Sequence, residues 1–198
     1  MKLRRALSVS AATAALLPLA VAAAPAAQAA PAAEIPKCSD VSNGQYPNNS
    51  FVGRTFGIPK SIALGTHWTT YTATLTNASA KELKSFQLSA TLGSYVYNEG
   101  ERDLSPYGDL QYWDTSQRAW KTLRQADGNA RGTLPGPKTL KPRESVHVQL
   151  RFRVGKDLPL DHPYDAFTGL TGTFVDRYHD TDCTADGDAV GGFSPRKG

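Results

Sequence analysis

The stretch that decides the fold is "SVHVQLRFRV", residues 145–154. Every second position is apolar, and the positions between carry histidine, glutamine and two arginines. A repeat of two is the period of a β-strand with one buried face and one solvated face. A register shift of one residue would bury both arginines, so the pairing is firmly specified. The predicted core face consists of Val146, Val148, Leu150, Phe152 and Val154.

The same alternation recurs along the chain. Residues 70–76 alternate threonines with Tyr71, Ala73 and Leu75, and residues 86–92 alternate four apolar with three polar side chains. The stretch "LQYWDTSQRAWKTL" (110–123) places aromatic residues on both sides of a turn, which is typical of a β-hairpin. A last β-rich run is "GLTGTFVDRY" (169–178). Since no segment shows a helical period, the sequence predicts an all-β, antiparallel β-sandwich.

Three of these segments resemble bacterial immunoglobulin-like and fibronectin-like domains. Residues 69–93 are similar to a strand–turn–strand unit of that family, and residues 110–123 are similar to its hairpin. Residues 139–154 resemble its segment with a Pro-Gly-Glu turn, although Arg143 replaces the glycine. The resemblance covers about residues 59–193 and implies an immunoglobulin-like sandwich, as in small secreted actinobacterial proteins of unassigned activity. It implies little about function, because this fold hosts many roles.

The N-terminus predicts export. Lys2, Arg4 and Arg5 precede an alanine- and leucine-rich run, and Ala27-Gln28-Ala29 follows as a cleavage site. A membrane anchor is the weaker interpretation, because polar residues and a proline interrupt the run. We expect a signal peptide at 1–29, a linker and irregular segment at 30–57, and the sandwich domain at 58–198. The protein would then be secreted, with no membrane anchor in the mature chain.

The net charge argues against nucleic acid as a partner. The chain has 22 Lys and Arg against 18 Asp and Glu. Removal of residues 1–29 takes away three basic residues and no acidic ones, which leaves 19 against 18. A nearly neutral chain lacks the strong positive field that nucleic-acid binding requires.

Cys38 and Cys183 are the two cysteines of the chain. In an exported protein an even number of cysteines indicates disulfide pairing, so a Cys38–Cys183 bridge is expected.

The acidic stretch "DRYHDTDCTADGD" (176–188) raises the question of a metal site. Asp182 would begin a calcium loop, but Phe193 stands where such a loop needs a bidentate glutamate. Asp182, Asp186 and Asp188 are therefore weak candidates for a looser site. The favoured interpretation is an exposed Asp/Gly turn, a structural tail that presents Cys183. We predict no metal and no cofactor.

Catalytic motifs are missing from the sequence. It contains neither G-x-S-x-G nor H-E-x-x-H. Asp103, Asp109 and Asp114 lie near aromatic residues and could form a glycosidase pair. Solvated loop carboxylates are far commoner, so we expect that the protein is not an enzyme.

Aromatic residues in the predicted hairpin are the candidate ligand-binding residues: Tyr112, Trp113 and Trp120. Neighbours on a strand point to opposite faces, so Tyr112 and Trp113 cannot both be buried. Exposed aromatic rings suit sugars or protein partners, and the alternative is core or cross-strand packing. A coplanar row of rings would favour sugar, whereas a flat mixed patch would favour protein.

These patterns favour a secreted, non-catalytic module that binds or scaffolds at the cell envelope or outside the cell. Its partner would be a protein or a cell-wall or extracellular polysaccharide, and the basic segment 138–156 could meet anionic wall polymers. The alternative is a secreted carbohydrate-active protein, either a sugar-binding module or an undetected hydrolase.

Overall fold

Strands make up most of the described chain, which in this computed structural model comprises residues 34–65, 67–96 and 102–198. The signal-peptide prediction for residues 1–29 lies outside these ranges. Helical structure in the described residues is limited to α1 (Cys38–Val41) and a 3-10 turn at Ser105–Tyr107. The strands are β1 (Phe51–Phe56), β2 (Ser61–Ala63), β3 (Thr69–Asn77), β4 (Lys84–Tyr95), β5 (Gly108–Asp114), β6 (Ala119–Leu123), β7 (Arg131–Leu134), β8 (Ser145–Val154), β9 (Asp165–Tyr178) and β10 (Thr181–Arg196).

Two five-stranded sheets form the sandwich. The first sheet has the order β1-β3-β8-β5-β6, and the second has the order β2-β10-β9-β4-β7. The pairs are antiparallel except for the short parallel pair of β2 with β10. The all-β, two-sheet architecture expected from the alternation is therefore confirmed. None of the described residues belongs to a helix long and apolar enough to span a membrane.

The predicted core face of β8 points between the sheets. Leu150, Phe152 and Val154 are buried, and Tyr71 of β3 lies opposite Leu150 in the register. Phe152 packs on Phe193 of the second sheet, with ring centroids 4.8 Å apart. The Tyr71 hydroxyl also crosses the core to the Thr168 hydroxyl at 2.8 Å. The period of two thus assigned the inside and outside faces correctly.

The segment 30–57, which we expected to be irregular, contains a strand. Residues 51–56 form β1, the edge strand of the first sheet, and β1 lies directly over β10. The approach is so close that a Cβ on Gly53 would lie 1.8 Å from the carbonyl oxygen of Asp188. The run of turn-forming residues just before β1 gave no indication of a strand. β1 forms because it pairs with β3, and that pairing is not a local property of the sequence.

The stretch 176–188, predicted as an exposed turn and structural tail, is also corrected. It is the end of β9 and the first half of β10, and β10 lies inside the second sheet between β2 and β9. The turn itself is short: His179 and Asp180 have φ of 43° and 66°, as a two-residue hairpin loop requires. Aspartates point outward from β10 and small residues point inward, toward β1. Asp and Gly have low strand propensity, so this alternation was misinterpreted as a turn.

The N-terminal residues are tied to β9 and β10. The predicted Cys38–Cys183 disulfide is present and buried. Tyr46 donates a hydrogen bond to Asp176, and Lys81 forms an ion pair with the same carboxylate. Burial acts to raise the pKa of Asp176, but the hydrogen bonds from Lys81 and Tyr46 outweigh it and hold that pKa below its ordinary value. Asp176, which opens the acidic stretch, therefore has a structural role.

Candidate functional site

The β5–β6 hairpin leaves its neighbour partway along. β5 pairs with β8 from Gly108 opposite Val154 to Tyr112 opposite Leu150. Beyond that point β5 pairs only with β6, while β8 continues beside β3. Residues 145–149 of β8 thus have a strand on one side only among the described residues. We call this segment the open half of β8.

The end of the hairpin is held by its own turn. The Asp114 carboxylate accepts hydrogen bonds from the Ser116 hydroxyl at 2.6 Å and from the backbone N–H groups of Ser116 and Gln117 at 2.9 and 3.1 Å. The Ser116 hydroxyl, followed by these backbone donors, keeps the pKa of Asp114 below its ordinary value. Since these hydrogen bonds form within the turn itself, the hairpin end keeps its shape without pairing to β8.

A groove of about 520 Å³ lies between the open half of β8 and the hairpin end. We call it the β8 groove. Its apolar lining includes Tyr112, Leu134, Val146 and Val148, and its polar lining includes His147, Gln149 and Ser116. Val146 and Val148 are only half-buried, although the next inward residue of β8, Leu150, is fully buried. The sandwich is therefore open along this edge.

The outer face of the first sheet carries all three tryptophans of the chain. The Arg151 guanidinium carbon lies 4.4 Å from the centre of the Trp68 ring and 4.3 Å from that of Trp120. Arg153 lies 4.7 Å from Trp68, and Trp113 meets Trp120 edge to face at 5.4 Å. We call these five residues the tryptophan–arginine stack.

The predicted ligand-binding residues lie on opposite faces of the sheet, as expected for neighbours on a strand. Tyr112 turns toward the core, and Trp113 lies with its cross-strand partner Trp120 on the outer face. The planes of Trp113 and Trp120 meet at 67°, and Arg151 lies over Trp120. The rings therefore do not form a coplanar row, and ligand binding by these three residues stays a prediction.

Trp68 and Arg151 were not predicted to be members of one cluster. Arg151 was assigned correctly to the outer face, but its role depends on rings that lie far away in the sequence. The one local signal is that Trp68 comes directly before β3, the strand that pairs with β8.

The three carboxylates considered for catalysis all have structural partners. Asp103 accepts backbone hydrogen bonds from Ser94 and Ser105, and Asp114 holds its turn. Asp109 binds both Arg153 and Arg124 at 2.8 Å. Burial acts to raise the pKa of Asp109, but the two arginines outweigh it and lower that pKa. The expectation that the protein is not an enzyme stays a prediction.

The weak metal candidates lie along the outer face of β10. Asp182, Asp186 and Asp188 stand opposite Arg177, Thr173 and Thr171 in the register. Within the described ranges, no three His, Cys, Asp or Glu side chains are grouped so that they could hold a metal ion.

Millimolar calcium should leave the melting temperature of the oxidised protein unchanged relative to chelator at matched ionic strength. A site occupied at a hundred times its dissociation constant would stabilise the fold by about 2.7 kcal/mol, which a thermal melt detects as a shift of several degrees. A calcium-dependent rise that disappears in the double variant Asp182→Asn and Asp186→Asn would contradict this prediction.

Comparisons with known proteins identify the fold and no family. Neither a protein-family model nor a curated protein matches the chain. A solved structure of AvmM, which catalyses macrocyclization in alchivemycin A biosynthesis, is similar at 16% identity and a TM-score of 0.50, covering 76% of this chain and 91% of that one.

Two further solved structures are less similar. The human F-spondin reeler domain has 16% identity and a TM-score of 0.39, and the alignment covers 75% of this chain and 89% of the reeler chain. BcpA, the major pilin subunit of Bacillus cereus, has 12% identity and a TM-score of 0.36, and the alignment covers 74% of this chain and 40% of the pilin chain. At such identities the similarity concerns the fold alone, and the chain is similar to β-rich structures with differing roles.

Proposed function

We propose that this protein is a secreted, non-catalytic β-sandwich module of the immunoglobulin-like type, which binds an extended segment of a partner protein in the β8 groove. The observation that carries the proposal is the open half of β8, which has a neighbouring strand on one side only. Binding would take place at the cell envelope or outside the cell.

The open half of β8 offers backbone hydrogen bonds. Along a strand, the N–H and C=O groups of alternate residues point to opposite sides. Within residues 145–149, every second residue therefore directs these groups toward the groove. An extended peptide can pair with such an edge as an added strand. Five residues of strand give a pairing length of about 17 Å.

The lining of the groove suits a peptide with alternating side chains. Val146 and Val148 lie on the inner side of β8, and Leu134 lies beyond them on the second sheet. His147 and Gln149 lie on the outer side. An incoming strand would place apolar side chains on the valines and polar ones beside the histidine and glutamine. Trp113 and Ser116 close one wall of the groove.

Two observations support secretion. The buried Cys38–Cys183 disulfide is the kind of bond that persists in oxidising compartments. The first 29 residues have the composition of a cleaved signal peptide.

The second candidate is a carbohydrate-binding module. It is favoured by the presence of Trp68, Trp113 and Trp120 on one face, with polar groups such as Gln111 nearby. Stacking on a sugar requires an open ring face. Arg151 lies over two of the three rings, so the observed arrangement favours a protein partner.

Selection of displayed random decapeptides against the purified mature protein should yield peptides with alternating apolar residues. Val148→Lys should weaken their binding at least tenfold, since it places an ammonium group in the apolar part of the groove. The matched control Val190→Lys changes an exposed valine on the second sheet and should bind like wild type. Binding is measured by isothermal titration calorimetry, with thermal melts to confirm that both variants are folded.

Hydrogen exchange gives a readout that does not depend on substitutions. Bound peptide should slow amide exchange within residues 145–149 and leave the edge strand β1, which lies on the far side of β3, unchanged. The proposal would be contradicted if no peptide were selected, or if protection appeared elsewhere. Glycan-array binding that is lost in Trp113→Ala would support the carbohydrate alternative instead.

A further inference from the structure

We propose that Arg151, together with Arg153, forms a binding site for the anionic groups of a polymer, either phosphates or carboxylates. The site is on the outer face of the first sheet. It borders the β8 groove, because Trp113 and Gln149 also line that groove, but neither Arg151 nor Arg153 is part of the groove lining. It therefore goes beyond the proposed function, and it can fail or succeed independently.

Stacking leaves the hydrogen-bonding edge of Arg151 free. A guanidinium group donates in its own plane, while an aromatic ring attracts it through the face. Trp68 and Trp120 come from segments on opposite sides of β8, and both rings lie within 4.4 Å of the guanidinium carbon. Nε donates to Gln111 Oε1 at 2.8 Å. In the part of the chain that the structure describes, neither Nη atom of Arg151 has an acceptor.

Positive charge is in excess around the guanidinium group of Arg151. Asp109 is the acceptor for both Arg153 and Arg124, so one carboxylate serves two arginines. Arg151 has no carboxylate within ion-pair distance among the described residues. The neighbours of Arg151 across the sheet are the neutral Thr70 and Gln111. An incoming anion would supply the charge that is missing here.

The two arginines also repel one another. Both guanidinium groups lie over the same Trp68 ring. Burial, followed by repulsion from Arg153, lowers the pKa of Arg151. Because like charges are held close together by the stack, an anion between or beside them would be attracted by both.

The chemistry of the ligand follows from the donors. Two Nη groups in one plane match the paired oxygens of a phosphate or carboxylate. The residues around Arg151 carry neutral hydrogen-bonding side chains, including Thr70 and Gln149. Because Arg151 and Arg153 lie over the same Trp68 ring, an extended chain with repeated anionic groups can contact both arginines.

Tryptophan fluorescence reports directly on this site, since the chain's three tryptophans all belong to the stack. The purified mature protein is titrated at low salt with polygalacturonate, with polyphosphate and with neutral dextran. We expect a saturable spectral change with at least one polyanion and none with dextran. The polyanion that binds more tightly identifies carboxylate or phosphate as the preferred group. Added salt should weaken binding, because exposed charge interactions are screened.

Arg151→Gln should weaken polyanion binding at least tenfold. The matched control Arg177→Gln removes an exposed arginine from the second sheet and should change affinity less than twofold. Arg151→Lys keeps the charge but not the planar fork, so its affinity should fall between the two. Near-ultraviolet circular dichroism and thermal melts check that each variant is folded. If Arg151→Gln does not fold, the comparison of Arg151→Lys with Arg177→Gln provides the test.

Three results would overturn the proposal: no saturable change with either polyanion, equal binding of dextran, or equal losses in the Arg151 and Arg177 variants. Peptide binding in the β8 groove should be unaffected by Arg151→Gln. Failure of one site is therefore distinguishable from failure of the other.

Discussion

The double variant Cys38→Ala and Cys183→Ala should lose about 4 kcal/mol of unfolding free energy. The bridge joins positions 145 residues apart, so it removes much of the freedom of the unfolded chain. Chain-entropy arguments give about 5 kcal/mol for so long a loop, and real bridges often contribute less. Alanine avoids burying a hydroxyl group at these two positions, which are at most 1% exposed.

The location of the bridge adds to this loss. Cys38 lies in α1, which has four residues and cannot persist alone, since isolated helices need about 12–15 residues. Cys183 lies on β10, inside the second sheet. Without the bridge, the segment before β1 is held by contacts such as the Tyr46–Asp176 hydrogen bond and the hydrogen bond from the Thr184 N–H to the Pro36 carbonyl oxygen at 2.8 Å.

Urea denaturation and thermal melts measure the effect. For a domain of this size, 4 kcal/mol corresponds to a fall in melting temperature of roughly 8–16 °C. Reduction of the wild type should reproduce the loss, and the exposed control Asp186→Asn should show almost none. A loss below about 1 kcal/mol would mean that the bridge adds little to the packing around it.

Leu150→Arg should be severely destabilising, with a loss of at least about 4 kcal/mol of unfolding free energy. Leu150 is fully buried between the sheets, beside Tyr71 and Tyr112 in the register. The substitution overfills the core and buries a charge, and the two register neighbours of Leu150, Tyr71 and Tyr112, carry no charge to pair with it.

The neighbouring change Arg151→Leu should cost far less, about 1–2 kcal/mol of unfolding free energy. Its side chain is on the outer face, where a simple surface change usually stays within about 0.5 kcal/mol. The structure raises that expectation, because Arg151 stacks on Trp68 and Trp120 and each such contact contributes about 0.5–1 kcal/mol. Denaturation curves of both variants provide the test. Equal losses would contradict the assignment of the two faces of β8.

The parts of the fold that the sequence predicted are those with a local period. The faces of β3, β4 and β8 follow from alternation, because adjacent residues of a strand point in opposite directions. The β5–β6 hairpin follows from a short turn between aromatic residues. The disulfide partners follow as well, because a chain with two cysteines has one intramolecular pairing.

The strands that the sequence did not reveal have weak local signals. β1 is preceded by a run of turn formers, and β10 alternates aspartates with alanines and glycines. Its inward positions are small because β1 packs directly over it, as the contact of Gly53 with Asp188 shows. The need for small inward residues on β10 comes from a strand more than a hundred residues earlier. It therefore cannot be inferred from the sequence around β10.

By itself the sequence therefore determined the fold class, the buried and exposed faces of its clearest strands, and the disulfide partners. The candidate sites were decided by tertiary structure. The β8 groove exists because β5 diverges from β8 after Tyr112, and the stack exists because Trp68, Trp120 and Arg151 meet on one face. The physical reason is the same for both. A strand's own residues determine which way each side chain points, whereas the neighbours it meets, and where it leaves them, depend on pairing between distant segments.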